Sequence, residues 1–204
     1  SGLLAEIADT FDLMPAELFE ALLGTLADWI RRQRVRLGAR FWPLWDKLAA
    51  LSYATPAAAE DAGRAGPDDV DALNRPAGVL AWAAMEQLVV AARSAGAGLG
   101  PEFEARFTLL ARAPGAAGLE ARYHLAQNIA RLYRLAPEWT GAEIIPRLAP
   151  THPDATFLWK ANSQAAAGPP KLFNTLKPFL MLMLARPELS DTEGSNLIFR
   201  LFQI

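Results

Sequence analysis

The chain has no cysteine among its 204 residues and only two histidines, His124 and His152. The absence of cysteine excludes disulfide bonds, thiolate catalysis and cysteine-based zinc sites. A metal site normally recruits several histidines or carboxylates at ligand spacing, and two histidines in separate segments do not supply that pattern. We therefore expect no metal site. The lack of cysteine also fits a reducing compartment, so we expect a cytoplasmic protein.

Surplus charge and long apolar runs are also lacking. The 20 Lys and Arg residues nearly balance the 22 Asp and Glu residues, and the formal net charge is −2. A charge this small creates no global field that would recruit nucleic acid or an anionic membrane. The most apolar run, from Phe179 to Ala185, is much shorter than the roughly 20 residues that span a bilayer. We therefore expect no membrane partner, and no signal peptide is visible.

Motifs for catalysis and nucleotide binding are missing as well. The chain contains no Gly-x-Ser-x-Gly, His-Glu-x-x-His or Walker sequence. The glycines within residues 96–100 follow a helical pattern and meet Pro101, which has no N–H to donate, so they favour a helix end over a phosphate loop. The carboxylates within residues 68–71 lie among turn residues, which hold an acid and a base poorly in register. We expect no catalysis by this chain and no cofactor.

Apolar residues at steps of three and four dominate the sequence that is present. The pattern covers Leu18–Ile30, Phe41–Tyr53 and Val79–Ala92 and continues through the rest of the chain. No segment alternates polar and apolar residues with the β-branched enrichment that marks a strand. The sequence therefore predicts an all-α fold of about ten helices, stacked in pairs as a HEAT-like array or an irregular bundle.

Four prolines divide the second half of the chain at nearly even steps, with gaps of 38, 36 and 37 residues: Pro76, Pro114, Pro150 and Pro187. An arginine precedes each of them by one to three residues: Arg75, Arg112, Arg147 and Arg186. A period of this size is typical of stacked helix pairs. Three segments have the form of a capping box and predict helix starts: Thr140-Gly-Ala-Glu143, Thr151-His-Pro-Asp154 and Ser190-Asp-Thr-Glu193.

Residues 55–75 separate two parts of the chain. Thr-Pro, Gly-Pro and Asp-Asp pairs fill this segment and large apolar residues are few, which predicts a flexible loop or linker. We therefore expect an N-terminal helical subdomain over residues 1–54 and a helical-repeat-like domain over residues 76–204. The chain begins without Met and ends inside an apolar helical pattern, so we expect it to be a fragment of a longer protein.

One local concentration of charge, here called the basic cluster, is a candidate interaction surface: Arg31, Arg32, Arg34, Arg36 and Arg40. Aromatic residues flank it, and arginines beside aromatic rings can bind single-stranded nucleic acid by phosphate contact and stacking. The other interpretation is a helix C-terminus, where cations favour the negative end of the helix dipole and the rings are buried in the core. The slightly negative net charge favours this second interpretation.

Turn and core segments form a series through the second part of the chain: Asn74-Arg-Pro-Ala-Gly78, Gly98-Leu-Gly-Pro-Glu102, Leu132-Tyr, Ala136-Pro-Glu-Trp-Thr140, Ile145-Pro146, Ala155-Thr-Phe-Leu-Trp159 and Leu176-Lys177-Pro178. Together they resemble a helical domain of unknown function found at the C-terminal side of bacterial sirtuin-like anti-phage defence proteins. The resemblance covers roughly residues 73–204. It implies a multidomain protein in which a sirtuin-like NADase kills or stalls the infected cell while the helical part senses, holds or regulates. No NAD-binding residue carries over.

Stacked amphipathic helices without a convergent group of titratable residues indicate an interaction or regulatory module. The expected partner is another protein or the enzymatic domain of the same polypeptide. The alternative function is a nucleic-acid-binding helical module that uses the basic cluster, Arg31 to Arg40. The sequence does not identify the partner or the oligomeric state.

Overall fold

The computed structural model describes residues 10–54 except residue 12, residues 74–95, residues 99–186, residue 189 and residues 191–201. Within these ranges the regular structure consists of helices and contains no strand. The all-α fold with stacked helices is thereby confirmed. Helix-forming periodicity is the strongest signal in a single sequence, and here it runs through nearly every segment.

The chain divides into two compact units. Unit 1 holds the described residues up to Ser94 together with Ala113–Ala121, and unit 2 holds those of Ala95–Arg112 and of the chain from Arg122 onward. This division differs from the boundary expected at residues 55–75, since the segments that flank that stretch both belong to unit 1. The expected first helix and most of the expected linker lie outside the described residues.

The described residues of unit 1 include the helices α1 (Ala16–Ala21), α2 (Leu23–Leu37), α3 (Phe41–Ala54) and α4 (Pro76–Ala95), with the short 3₁₀ turn Gly38–Arg40 between α2 and α3. The apolar pattern over Leu18–Ile30 predicted one helix, but the chain breaks at Leu22, whose ψ of 4° lies outside the helical range. Gly38 ends α2 with a φ of +53°, a conformation in which a Cβ would be strained. Pro76 opens α4, where its missing N–H costs nothing.

The core of unit 1 lies between α3 and α4. The ring of Trp45 is fully buried, and its indole N–H donates to the carbonyl of Leu80 at 2.9 Å. The hydroxyl of Tyr53 donates to the carbonyl of Ala77 at 2.6 Å. Burying one large apolar side chain stabilises a fold by about 1.5–3 kcal/mol, and each tryptophan or tyrosine here also satisfies its polar atom. These bonds fix the register of α3 against α4.

Unit 2 is built from α5 (Pro101–Arg112), the second part of α6 (Gly115–Gln127), α7 (Ile129–Leu135), α8 (Pro137–Glu143), the 3₁₀ turn Ile145–Leu148, α9 (Ala155–Ser163), α10 (Pro170–Met183) and α11 (Asp191–Leu201). Proline occupies the first position of α5, α8 and α10. Helix α8 packs against α5 and α7, and α9 packs against α11 and the 3₁₀ turn. The residues of α6 up to Ala121 belong to unit 1.

Two tryptophans anchor unit 2. Trp159 is 1% exposed, and its indole N–H donates to the carbonyl of Leu148 at 2.8 Å. The indole N–H of Trp139 donates to the hydroxyl of Thr108 at 2.9 Å, which joins α8 to α5. Aromatic rings of this size bury the most apolar area per residue, so their positions largely determine how the helices stack.

Two of the three predicted helix starts are wrong. Thr140 lies inside α8, where its hydroxyl donates to the carbonyl of Ala136 at 2.8 Å. The preceding Pro137 begins that helix earlier, and the carboxylate of Glu143 pairs with Arg112 across to α5. Helix α9 begins only at Ala155 and has no side-chain cap. Helix α11 begins at Asp191, directly after the predicted start, which lies outside the described residues.

Several side-chain hydrogen bonds of unit 2 join residues about one proline interval apart. Arg112 and Glu143 are 31 residues apart, and Gln127 and Gln164 are 37 residues apart. Arg186 donates to the carbonyl of Pro150, 36 residues earlier. Three further pairs have separations of 31 to 33 residues: Arg122–Asp154, Arg134–Ala167 and Trp139–Thr108. The predicted repeat itself stays a prediction.

Candidate interaction surfaces

The basic cluster lies in the second half of α2 and in the 3₁₀ turn of unit 1. Arg31 and Arg32 both pair with the carboxylate of Asp28, at 3.0 and 2.7 Å. Positions three and four apart on a helix are neighbours, so one aspartate serves both guanidinium groups. Half of the local positive charge of these two arginines is thereby offset within the helix itself.

Helix α4 supplies further contacts of the cluster. The guanidinium carbon of Arg31 lies 4.4 Å from the ring centroid of Trp82, a cation–π contact. Arg34 pairs with Glu86, one turn further along α4, with 3.2 Å between Nε and Oε2. Arg36 and Arg40 are exposed. The cluster is thus partly an internal connection between α2 and α4.

Of the four aromatic residues that flank the cluster in sequence, two are buried and two, Trp29 and Trp42, are half-buried. Phe41 and Trp45 are fully buried in the core of unit 1. Trp29 makes an edge contact with Phe11, with the ring centroids 5.2 Å apart. The ring that lies against Arg31 is that of Trp82, about 50 residues further along the chain. Sequence spacing does not predict the contact between Trp82 and Arg31, because that contact depends on how α4 packs on α2.

A second surface, here called the apolar surface, lies on α10 and α11 of unit 2 and consists of exposed large side chains: Met181, Leu182, Ile198 and Phe199. Leu182 is 60% exposed and Phe199 is 63% exposed. The buried apolar side of α10 is formed by Leu172, Leu176 and Leu180, and Leu197 is buried on α11. Helices α10 and α11 therefore have apolar residues on a solvent-exposed side as well as on the side that is buried in the core of unit 2. Met181 and Leu182 lie within the apolar run Phe179–Ala185, but a one-sequence pattern does not say which apolar face is covered.

A groove adjoins the apolar surface where the end of α10 faces α11. Its volume is about 600 Å³, and it is lined by Leu184, Ala185, Arg186, Leu189, Asp191, Gly194, Ser195 and Ile198. Ile198 belongs to both the groove and the apolar surface. Leucine and isoleucine side chains line it together with one basic and one acidic residue, and more of its lining surface is polar than apolar. Apolar surface rimmed by polar groups is typical of protein interaction sites.

The titratable groups of unit 2 form structural pairs. Arg122 is buried and pairs with Asp154 at 2.7 Å. Burial lowers the pKa of Arg122, although the charge of Asp154 opposes that shift. Nδ1 of His152 accepts the backbone N–H of Asp154 at 3.1 Å, and burial lowers the pKa of this imidazole. The arrangement ties the start of α9 to α6. A buried pair of this kind organises structure without exposing a reactive group.

Exposed ion pairs also shift titration in unit 2. The hydrogen bond from Arg112 lowers the pKa of Glu143, while partial burial opposes the shift. Within the described ranges, no group of three or more His, Asp or Glu side chains is placed to hold a metal ion. None of the helices in that part of the chain is both long and apolar enough to cross a bilayer.

No family model, curated protein or solved structure matches this chain. The resemblance to the helical domain of sirtuin-like defence proteins therefore stays a prediction, as does the cytoplasmic location.

Proposed function

We propose that this chain is a non-catalytic interaction or regulatory module of a larger multidomain bacterial protein. It binds its partner through the apolar surface of α10 and α11. The single observation that carries the proposal is the exposure of Leu182 and Phe199 next to Met181 and Ile198. Four large apolar side chains on two consecutive helices of one unit are thus exposed and form the candidate site.

The physical reason is the free energy that a partner gains by covering these side chains. Burying a leucine, isoleucine, methionine or phenylalanine side chain gains about 1.5–3 kcal/mol relative to leaving it in water. Aromatic residues and methionine are enriched in the cores of protein interfaces, and both types are present here. The adjoining groove, with Leu184 and Leu189 among its lining residues, offers a recess for one apolar side chain of the partner.

The partner we propose is an amphipathic helix, supplied by the enzymatic domain of the same polypeptide. A helix with an apolar stripe matches a groove that runs beside an exposed helix face. The resemblance to the helical domain of sirtuin-like anti-phage proteins supports this choice, since it places a sirtuin-like NADase in the same chain. In that arrangement the module senses or holds, and the enzymatic domain performs the reaction.

The alternative, a nucleic-acid module that uses the basic cluster, has less support from the contacts. Arg31, Arg32 and Arg34 are already paired with Asp28 and Glu86. Binding to phosphates releases counterions and requires positive charge that is not already neutralised. Salt-dependent binding of a single-stranded oligonucleotide would favour this alternative.

The test measures binding of the enzymatic segment encoded beside this chain, expressed separately and titrated calorimetrically against it. The double variant Leu182→Ser/Phe199→Ser should weaken binding at least tenfold, as loss of interface anchors does. The matched control is Leu109→Ser on α5 of the same unit, because Leu109 is also an exposed leucine, at 44%. The control should bind like the original chain.

Equal binding by the double variant and the original chain would remove the apolar surface from the proposal. No binding of the segment to any form would remove the enzymatic domain as the partner. NAD turnover is measured in parallel for this chain alone, and we expect none. Turnover by the chain alone would contradict its assignment as a non-catalytic module.

A further inference from the structure

Unit 1 has an exposed surface that the proposed function does not use. It lies where α2 and α4 run side by side, and two contacts show how these helices are matched. The guanidinium carbon of Arg31 lies 4.4 Å from the ring centroid of Trp82, and Arg34 pairs with Glu86 at 3.2 Å. The second contact lies about one helical turn beyond the first on both helices, so α2 and α4 point in the same direction here.

Two exposed apolar side chains extend this line of contacts by a further turn. Val35 follows Arg31 by four residues on α2, and Val90 follows Glu86 by four residues on α4. Residues four apart on a helix are neighbours on one face. Val35 is 68% exposed and Val90 is 41% exposed, and Trp82 is exposed as well. We call these three side chains and two arginines beside them the α2–α4 surface: Val35, Trp82, Val90, Arg32 and Arg36.

Positive charge borders the apolar side chains of this surface. Arg32 and Arg36 are exposed and four residues apart, so they are neighbours on α2. Arg32 shares the carboxylate of Asp28 with Arg31, and Arg36 makes no ion pair with a described residue. Four arginines of α2 thus stand against two carboxylates, those of Asp28 and Glu86, which leaves a surplus of about two positive charges.

This combination of charge and apolar groups favours an acidic helix over nucleic acid. A surplus of about two charges matches one or two carboxylates, whereas binding to nucleic acid draws on many phosphate contacts. Bases stack on aromatic rings, but valine offers no planar group, and Arg31 already covers one face of the Trp82 ring. An amphipathic helix, by contrast, buries its apolar side against exposed side chains such as these. Tryptophan and arginine are also the residue types enriched at the centres of protein interfaces.

We propose that the α2–α4 surface binds an acidic amphipathic helix of a partner protein. The apolar side of that helix covers Val35, Trp82 and Val90, and its carboxylates pair with Arg32 and Arg36. Complementary charge at the border orients the partner and excludes basic segments. The proposal concerns unit 1 and does not depend on the apolar surface of α10 and α11, so the failure of one leaves the other standing.

The test measures binding of fluorescein-labelled peptides to the full chain by fluorescence anisotropy, at about 0.15 M salt. The acidic probe is a peptide of about 15 residues with leucines on one helical face and glutamates on the other. In a second peptide lysines replace the glutamates, and in a third peptide serines replace the leucines. We expect saturable binding of the acidic probe and at least about tenfold weaker binding of the other two, because each lacks one matched feature.

Variants with matched controls locate the site. Arg36→Glu should weaken binding of the acidic probe by about three- to tenfold, because it replaces an attraction by a repulsion at an exposed position. Lys171→Glu makes the same change at an exposed position of unit 2 and should bind like the original chain. Val35→Ser should weaken binding by about three- to tenfold through lost apolar burial. Leu13→Ser, at another exposed position of unit 1, should leave binding unchanged. If Val35→Ser does not fold, Arg36→Glu decides the question.

A further variant separates the two surfaces. Leu182→Ser/Phe199→Ser removes the apolar surface of unit 2 and should bind the acidic probe like the original chain. Loss of binding in this variant would place the peptide on α10 and α11 and overturn the proposal. So would the absence of saturable binding, equal binding of the lysine peptide or the serine peptide, or unchanged binding by Arg36→Glu or Val35→Ser. Tighter binding of a single-stranded oligo-dT than of the acidic probe would overturn it in favour of nucleic acid.

Discussion

Replacing Trp159 by alanine should destabilise unit 2 more than any other single substitution considered for this chain. The indole ring is 1% exposed and lines a narrow apolar space with Ile129, Leu172 and Leu197. Its N–H donates to the carbonyl of Leu148 at 2.8 Å. The substitution removes the ring, opens a cavity between α9 and its neighbours, and leaves the carbonyl of a buried residue without its donor.

The expected cost of Trp159→Ala is about 3–5 kcal/mol, the range for deleting a buried phenylalanine or tryptophan side chain. Loss of the hydrogen bond alone accounts for about 0.5–1.5 kcal/mol, or more if the carbonyl stays dry. Trp159→Phe keeps most of the apolar volume and removes the N–H, so we expect it to cost about half as much or less. Domains of this size are stable by only about 5–15 kcal/mol, so the alanine variant should be close to unfolding.

The measurement is urea unfolding followed by far-UV circular dichroism. Trp82→Ala is the matched control, because Trp82 is 37% exposed and contacts solvent as well as Arg31. The control should lose roughly 1 kcal/mol or less from the cation–π contact and partial burial. A loss below about 1 kcal/mol for Trp159→Ala would contradict the assignment of this ring as the anchor of α9.

Two further predictions concern backbone strain and pH. Gly38→Ala should cost about 1–2 kcal/mol in urea unfolding, because the φ of +53° is strained for a residue with a Cβ; an unchanged midpoint would contradict this. Burial lowers the pKa of His152 below its usual 6.5, so the unfolded chain takes up the proton first as pH falls. Stability should therefore be fully present above about pH 6.5 and decline as the pH drops toward the lowered folded-state pKa, and His152→Asn should flatten that decline. An identical decline in the variant would show that another group is responsible.

Periodicity in the sequence was sufficient for the fold class and for several helix bounds. The pattern over Phe41–Tyr53 matches α3, and Pro76 and Pro101 begin helices as proline does elsewhere. Capping boxes were less informative, because Thr140 fits the pattern and yet lies inside a helix. Local sequence does not reveal that an earlier proline has already begun the helix. It also does not reveal that the carboxylate of Glu143 has a stronger partner in Arg112.

The candidate sites depended on tertiary packing that no local pattern contains. The basic cluster was visible as charge, but its partners Trp82 and Glu86 come from a helix about 50 residues away. The apolar surface consists of ordinary leucine and phenylalanine residues, and only their exposure sets them apart. One sequence alone does not show which of these distant residues come into contact in the folded chain.

The hydrogen bonds between residues 31 to 37 apart in unit 2 have a consequence for how the chain folds. Each such pair can form once a further stretch of about that length has been synthesised, without waiting for the end of the chain. At about 5–20 residues per second, a new partner segment leaves the ribosome every few seconds, which is far longer than helix formation takes. Unit 2 should therefore assemble progressively during translation, each helix docking on the one made an interval earlier. Helices α10 and α11, which present the apolar surface, would complete the unit last.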